Sequence, residues 1–276
     1  MARTRSVLFL PASNPRAIEK ARSLSADVAV LDLEDAVAPE MKAEARAAAV
    51  AAIQAGGFGS RLGVRVNGLD TPWGADDLTA LSDTGVQFVV APKVESAAMV
   101  GELARRLPVG AGLWAMIETP AALIRLDAIA GAGAPLEALM LGVNDLAAGL
   151  RTGASPDREP LKPWLAATVA AARTHGLLAI DGVFNRIEDA EGFAAECAQS
   201  RLYGFDGKSL IHPSQIEPAN TAFSPTAAEI AWAEAVVRAF ADPEASGRGV
   251  VKVEGQMVER LHLDQAQAVL GLREHP

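Results

Sequence analysis

Cysteine is nearly absent. Cys197 is the one cysteine in 276 residues, so there is no internal disulfide framework and a reducing cytoplasm is the expected compartment. Its Ala-rich, helix-patterned surroundings mark it as inert packing. Positive net charge is missing too. The formal charge of -9 argues against nucleic acid or an anionic membrane surface as the main partner, and an anionic substrate has to be met by a local basic cluster. No apolar run approaches the roughly 18 residues of a membrane-spanning helix. The run behind Arg3 and Arg5, residues 7–10, is too short for a signal sequence. The absence of clustered histidines or a cysteine pair disfavours zinc. No Ser-His-Asp grouping or nucleophile elbow appears, which disfavours covalent acyl transfer.

Half of the residues are hydrophobic, enough for one large core, and α/β barrels of about 250 residues form single domains. Eight short apolar runs recur, at residues 6–10, 28–33, 62–66, 86–91, 112–117, 138–141, 177–180 and 202–205. They are nearly continuous in apolar character rather than alternating, as expected of parallel strands covered on both faces. Between them lie helix signals. Asn14-Pro15, Thr71-Pro72 and Thr119-Pro120 each put a capping side chain before a proline at the first helical position, and residues 39–54 are rich in helix formers. Eight such units predict a (β/α)8 TIM barrel over residues 1–222, with an open doubly wound sheet as the alternative. Residues 223–276 form a C-terminal helical extension: a helix over 225–240, a turn-rich break over 241–249, the run 250–253, and a last helix over 257–271. It reads as a lid or an arm onto a neighbouring subunit of a homo-oligomer.

Barrel enzymes collect their chemistry at the C-terminal ends of the strands. The polar residues falling there are Asp32, Glu34 and Asp35 after the second run, Arg65 and Asn67 after the third, Lys93 and Glu95 after the fourth, and Glu118 after the fifth. Asn144 and Asp145 follow the sixth, Asp181 the seventh, and Asp206 and Lys208 the eighth. Asp181 and Asp206 taken singly read as structural caps. Glu118 and Asp145 fall on adjacent strands, and hard cations such as Mg2+ take one or two carboxylates plus substrate oxygens and water. The Asp32, Glu34 and Asp35 cluster would hold the metal's waters. Equally open on spacing alone, Asp145 caps a short helix and Glu118 pairs with an arginine. Arg65 suits bidentate recognition of a carboxylate. Arg16 and Lys20, four apart on one helical face, either meet a phosphate or form a solvated face. Of the histidines, only His212 lies near this rim.

Taken in order, Arg5-Ser-Val-Leu-Phe-Leu-Pro11, Leu31-Asp-Leu-Glu-Asp-Ala-Val37, Val64-Arg-Val-Asn67, Pro92-Lys-Val-Glu-Ser96, Ile117-Glu-Thr119, Gly142-Val-Asn-Asp-Leu146, Gly204-Phe-Asp-Gly-Lys208, Ile211-His-Pro213 and Gly255-Gln-Met-Val-Glu259 resemble the HpcH/HpaI aldolase and citrate lyase β-subunit-like family, which includes malyl-CoA and citramalyl-CoA lyases. The resemblance implies a Mg2+-dependent barrel (Mn2+ as a substitute) acting beside a CoA thioester. By it Glu118 and Asp145 are metal ligands, Glu34 and Asp35 acidic support, and Arg65 the group at the thioester carbonyl. Asn144 lies in the substrate site, and Arg16 and Lys20 contact CoA phosphates. Glu259 stands where the lyases usually carry an aspartate donated across a subunit boundary as the acid-base group.

The expected reaction is carbon-carbon cleavage of a 3-hydroxy-acid CoA ester to a small 2-oxo acid and acetyl- or propionyl-CoA. The alternatives are hydrolysis of a malyl-CoA-type thioester, and a subunit of a multienzyme lyase working on acyl-carrier-protein esters. The long tail favours a stand-alone enzyme, and the expected assembly is a homo-oligomer, a trimer or hexamer.

Overall fold

Strand side chains alternate between two environments, and that alternation closes a barrel. The computed structural model describes residues 3–242 and 249–274. The parallel strands are β1 (Ser6–Pro11), β2 (Val28–Asp32), β3 (Arg61–Arg65), β4 (Phe88–Ala91), β5 (Gly112–Ile117), β6 (Leu136–Leu141), β7 (Leu178–Asp181) and β8 (Gly207–Leu210). They pair in sequence order, and β1 pairs in parallel with β8. That pairing closes the sheet and excludes the open doubly wound alternative. Val7, Val28, Val30, Val90, Met116, Met140 and Ile180 fill the interior around stacked Phe88 and Trp114, whose ring centroids lie 4.2 Å apart. The neighbours of these residues on each strand, such as Leu8, Leu31 and Ala115, join a second cluster beneath the helices. Strands buried on both faces have no polar face to display, which is why their sequences read as continuous apolar runs.

The helix starts follow the expected chemistry at two of three places. Asn14 and Thr119 accept hydrogen bonds from Ala17 N and Ala122 N, each with proline at the first helical position. The third differs. Thr71 closes a turn on Gly68 O, and the helix begins later, at Gly74. The segment 39–54 opens as a short 3-10 turn before the helix Lys42–Ala55.

The eighth strand is displaced from its predicted place. Residues 202–203 end the helix Ala190–Tyr203, and β8 begins at Gly207. Asp206 therefore precedes its strand at the opposite end of the barrel from the predicted rim, where it accepts from Ala179 N and pairs with Arg173.

The chain divides into two compact units, Thr4–Phe223 and the chain from Ser224 onward. In the second, the helix Ala227–Ala241 starts with a Thr226/Glu229 capping box. Strands β9 (Val250–Val253) and β10 (Gln256–Glu259) form an antiparallel hairpin ahead of the helix Arg260–Glu274. Residues 257–259 are thus strand rather than helix. Ala233, Val236, Val253, Val258 and Ala266 give this unit a small core of its own. Among the described residues no helix is long and apolar enough to cross a membrane.

Candidate active site

The strand alternation that fills the barrel with Trp114 and Met116 directs the next residue of the same parity, Glu118, to the barrel mouth, beyond the end of β5. Asp32 follows Val28 and Val30 in the same way, and Arg65 is its register partner across β2 and β3. A cavity of about 370 Å3 opens at these strand ends, lined among others by Asp32, Asp35, Arg65, Glu118, Asn144 and Asp145, over a floor of Phe9, Met116 and Met140. The size suits a small organic acid or the acyl end of a larger ligand.

Arg65 is the most constrained group in the cavity. Its Nε and Nη2 donate to Asp32 Oδ1 and Oδ2 at 2.7 and 2.6 Å, a bidentate pair. Asp32 also accepts from the backbone amides of Glu34 and Ala36. Both of its oxygens are occupied by this chain, so Asp32 holds Arg65 and the acidic loop rather than a metal's water. Burial would lower the Arg65 pKa, but Asp32, Glu34 and Asp35 outweigh it and keep the guanidinium charged. Its Nη1 lies 2.9 Å from Glu34 Oε2 and 3.7 Å from Asp35 Oδ2.

Glu34 does not line the cavity wall but bears on it through Arg65 and through Lys93, whose Nζ lies 3.3 Å from Oε1. Its buried Oε2 has no aligned hydrogen-bond donor despite the nearby guanidinium. Burial pushes the Glu34 carboxyl up, against the pull of Arg65. The loop that carries it is fixed from behind by Lys42. That buried ammonium donates to Leu33 O, Glu34 O and Asn67 Oδ1 at 2.7, 2.7 and 2.8 Å. Asn67 is therefore a strut rather than a rim group. Sequence reasoning missed Lys42, because a lysine in an Ala- and Glu-rich helix carries no mark of burial.

Glu118 is buried and accepts from Lys93 N at 2.7 Å through Oε1. A Cβ at Gly142 would fall 2.3 Å from Oε2, so the glycine at the end of β6 clears the space this carboxylate occupies. Burial first, then the charge of Glu34, raises the Glu118 carboxyl to about 7, with Asp145 adding to the shift. A buried carboxylate with further carboxylate charge beside it is what a hard cation neutralises. Among the described residues no three His, Cys, Asp or Glu side chains form a self-sufficient metal cluster. Two carboxylates would leave the remaining coordination of a cation to water and substrate oxygens, which suits Mg2+ and not zinc. The donor set fits the ion.

Of the other predicted residues, Asn144 lines the cavity and exchanges side-chain hydrogen bonds with Asn185 at 2.7 and 3.4 Å. Arg16 and Lys20 are exposed on the helix Pro15–Ala21 and are not in the cavity lining. Glu259 is the exposed last residue of β10 in the second unit, with its backbone N–H donating to His262 Nδ1. His212 caps the turn Pro213–Gln215. Lys208 is not a rim cation: fully buried, its ammonium donates to Asp181 Oδ2, Gly182 O and Glu196 Oε1. Burial pushes the Cys197 thiol up to about 12, as inert packing requires.

A family model described as HpcH/HpaI aldolase/citrate lyase matches residues 5–213. The chain is 44% identical over 271 residues to a (3S)-malyl-CoA thioesterase of Cereibacter sphaeroides, covering 98% of this chain and 94% of that one. It is 36% identical to the L-malyl-CoA/beta-methylmalyl-CoA lyase of the same species, covering 96% and 93%. Among solved structures, CitE of Mycobacterium tuberculosis in complex with magnesium, acetoacetate and coenzyme A superposes with a TM-score of 0.82 at 35% identity, covering 98% of this chain and 97% of that one. The chain belongs to the HpcH/HpaI aldolase/citrate lyase family.

Proposed function

We propose that this protein is a Mg2+-dependent enzyme acting on a malyl-CoA-type thioester, and that its principal reaction is hydrolysis to the free hydroxy acid and CoA. The convergence of Glu118, Asp145 and the Asp32-locked Arg65 on one acid-sized cavity carries the substrate reading. Hydrolysis is favoured over cleavage by the thioesterase relative. Its alignment spans 271 positions for 98% of this chain, opening almost no gap in this chain, whereas the lyase alignment stretches to 296 positions for 96%. Carbon-carbon cleavage, which the sequence alone favours, stands as the second reading, supported by the same cavity.

Glu118 and Asp145 would hold the cation, which would supply a Lewis acid to the substrate's oxygens. Arg65 presents a fixed positive edge to the thioester carbonyl, whose oxygen gains negative charge whether water adds or an enolate leaves. Because Asp32 pre-sets the guanidinium, little reorganisation accompanies that charge. Asn144 orients the polar end of the acid. The family resemblance gives Glu259 the acid-base role, taking a proton from water in hydrolysis or delivering one to carbon in cleavage. Arg16 and Lys20 serve the CoA phosphates, and the working enzyme is a homo-oligomer.

Incubation with (3S)-malyl-CoA and Mg2+ tests this. Free malate with an equivalent of CoA thiol is expected, and EDTA should stop its release. Trapped glyoxylate with acetyl-CoA would make the enzyme a lyase, and unchanged substrate would overturn both readings. Arg65→Lys removes the two-point pair with Asp32 and should lower kcat about 100-fold with a smaller change in KM, since a point charge cannot reproduce the fork. Steady-state kinetics on the same ester checks this.

A further inference from the structure

Lys93 lies in the left-handed region of backbone space, with φ at 50°, which residues bearing a Cβ rarely occupy and which glycine or asparagine reach more easily. Such a conformation persists only where the surroundings over-determine it. Here they do. Pro92 before it and Val94 after it are both buried, and Val94 N donates to Met116 O at 3.3 Å, tying the turn to β5. The consequence of the left-handed turn is local. The Lys93 amide, between the end of β4 and the helix Ala97–Ala104, donates to Glu118 Oε1 at 2.7 Å. The Lys93 side chain is 49% exposed and reaches a different carboxylate, Glu34, at the longer distance of 3.3 Å.

We propose that the left-handed turn at Lys93 orients Glu118 for a divalent cation, and that the working group of this lysine is its backbone N–H rather than its ammonium. By holding Oε1, the amide presents the carboxylate to the cavity in one orientation, with Oε2 kept in the space cleared by Gly142. Lys93 is a positioning residue, acting on the cation through Glu118. The inference rests on the reading of Glu118 as a cation ligand.

Four variants separate amide from ammonium. Lys93→Gly, Lys93→Asn, Lys93→Ala and Lys93→Val all lose the ammonium, but they differ in how readily they adopt positive φ. The probe is Mn2+ titrated into the EDTA-stripped full chain, with free Mn2+ followed by electron paramagnetic resonance. The affinities should follow that order: glycine and asparagine at or above the wild-type level, alanine, whose Cβ is that of lysine, within about 3-fold of the wild type, and valine about 10-fold weaker than glycine, because its competent turn is least populated. Should the valine variant fail to fold, judged by circular dichroism, alanine against glycine makes the same comparison. Equal affinity in all four variants overturns the proposal: at the wild-type level the turn is irrelevant, and at a uniformly weakened level the ammonium is the working group. Failure of the underlying reading looks different, since the wild type would then bind no Mn2+, or Glu118→Gln would bind it unchanged.

Discussion

Glu118→Gln is expected to raise the melting temperature of the metal-free protein at pH 8 while lowering Mg2+-dependent turnover by about 1000-fold or more. The two effects have one cause. Desolvation, with the charge of Glu34 beside it, raises the Glu118 carboxyl to about 7 from its ordinary 4.5. The folded state therefore holds a proton that the unfolded chain has released between those two values, and stability falls as pH rises through that window. Below the unfolded value there is no penalty, and above about 7 it is complete, on the order of 3 kcal/mol. Glutamine keeps an oxygen to accept the Lys93 amide and carries no charge to desolvate. The variant should match the wild type at pH 4.5 and exceed it by several degrees at pH 8, in thermal melts run with EDTA.

Added Mg2+ should reverse the order. The cation replaces the proton, so it stabilises the wild type in proportion to its saturation and leaves the variant unchanged. Because binding displaces a proton from Glu118, Mg2+ affinity should fall about tenfold per unit as pH drops below 7. A Glu118→Gln protein that is less stable than the wild type at pH 8 without metal, or that still gains stability from Mg2+, would show that this carboxylate is not held in readiness for a cation.

The parts of the fold that showed in the sequence are those whose physics is local. Seven strands announce themselves because burial on both faces demands unbroken apolar runs, and Asn14 and Thr119 announce helices because capping acts over three residues. The eighth strand does not. Its apolar decoy, residues 202–205, spans a helix end whose Gly204 takes a left-handed cap at φ 94°, while the true strand carries Lys208 and Ser209 in full burial. Their partners, such as Asp181 and Glu196, lie 27 and 12 residues away, so no window along the chain reveals why polar residues belong there. The hairpin ending at Glu259 turns at Glu254-Gly255, both with positive φ, and only the glycine marks that turn in the sequence. In the candidate site, Glu118, Asp145 and Arg65 could be named as strand-end residues. The bidentate hold of Asp32 on Arg65 and the bracing by Lys42 are tertiary facts without a sequence mark.

Asp181→Leu should be the most destabilising single change outside the cavity, at about 3–5 kcal/mol and on the order of 10 °C in melting temperature. Asp181 is fully buried and its two oxygens accept from Arg158 Nη1 at 2.9 Å each, with Oδ2 also taking Lys208 Nζ at 2.8 Å and the Ser200 hydroxyl. Burial would push its carboxyl up, yet Lys208 and Arg158 with these hydrogen bonds outweigh it and hold it at about 2. A depressed carboxyl contributes stability that is complete above its unfolded value near 3.8 and is lost only as pH falls through 2. Unlike the Glu118 effect, the deficit of this variant should therefore be flat from pH 5 to pH 8. Its source is the two cations left behind, since among the described residues Lys208 and Arg158 would keep only Glu196 as a charged partner. Removing one of them as well tests that explanation. The double variant Asp181→Leu, Lys208→Met should be more stable than Asp181→Leu alone, because it no longer buries an under-compensated ammonium. If denaturant unfolding placed the double variant below the single one, the loss would lie in packing between β7, β8 and the helix Ala190–Tyr203, not in charge.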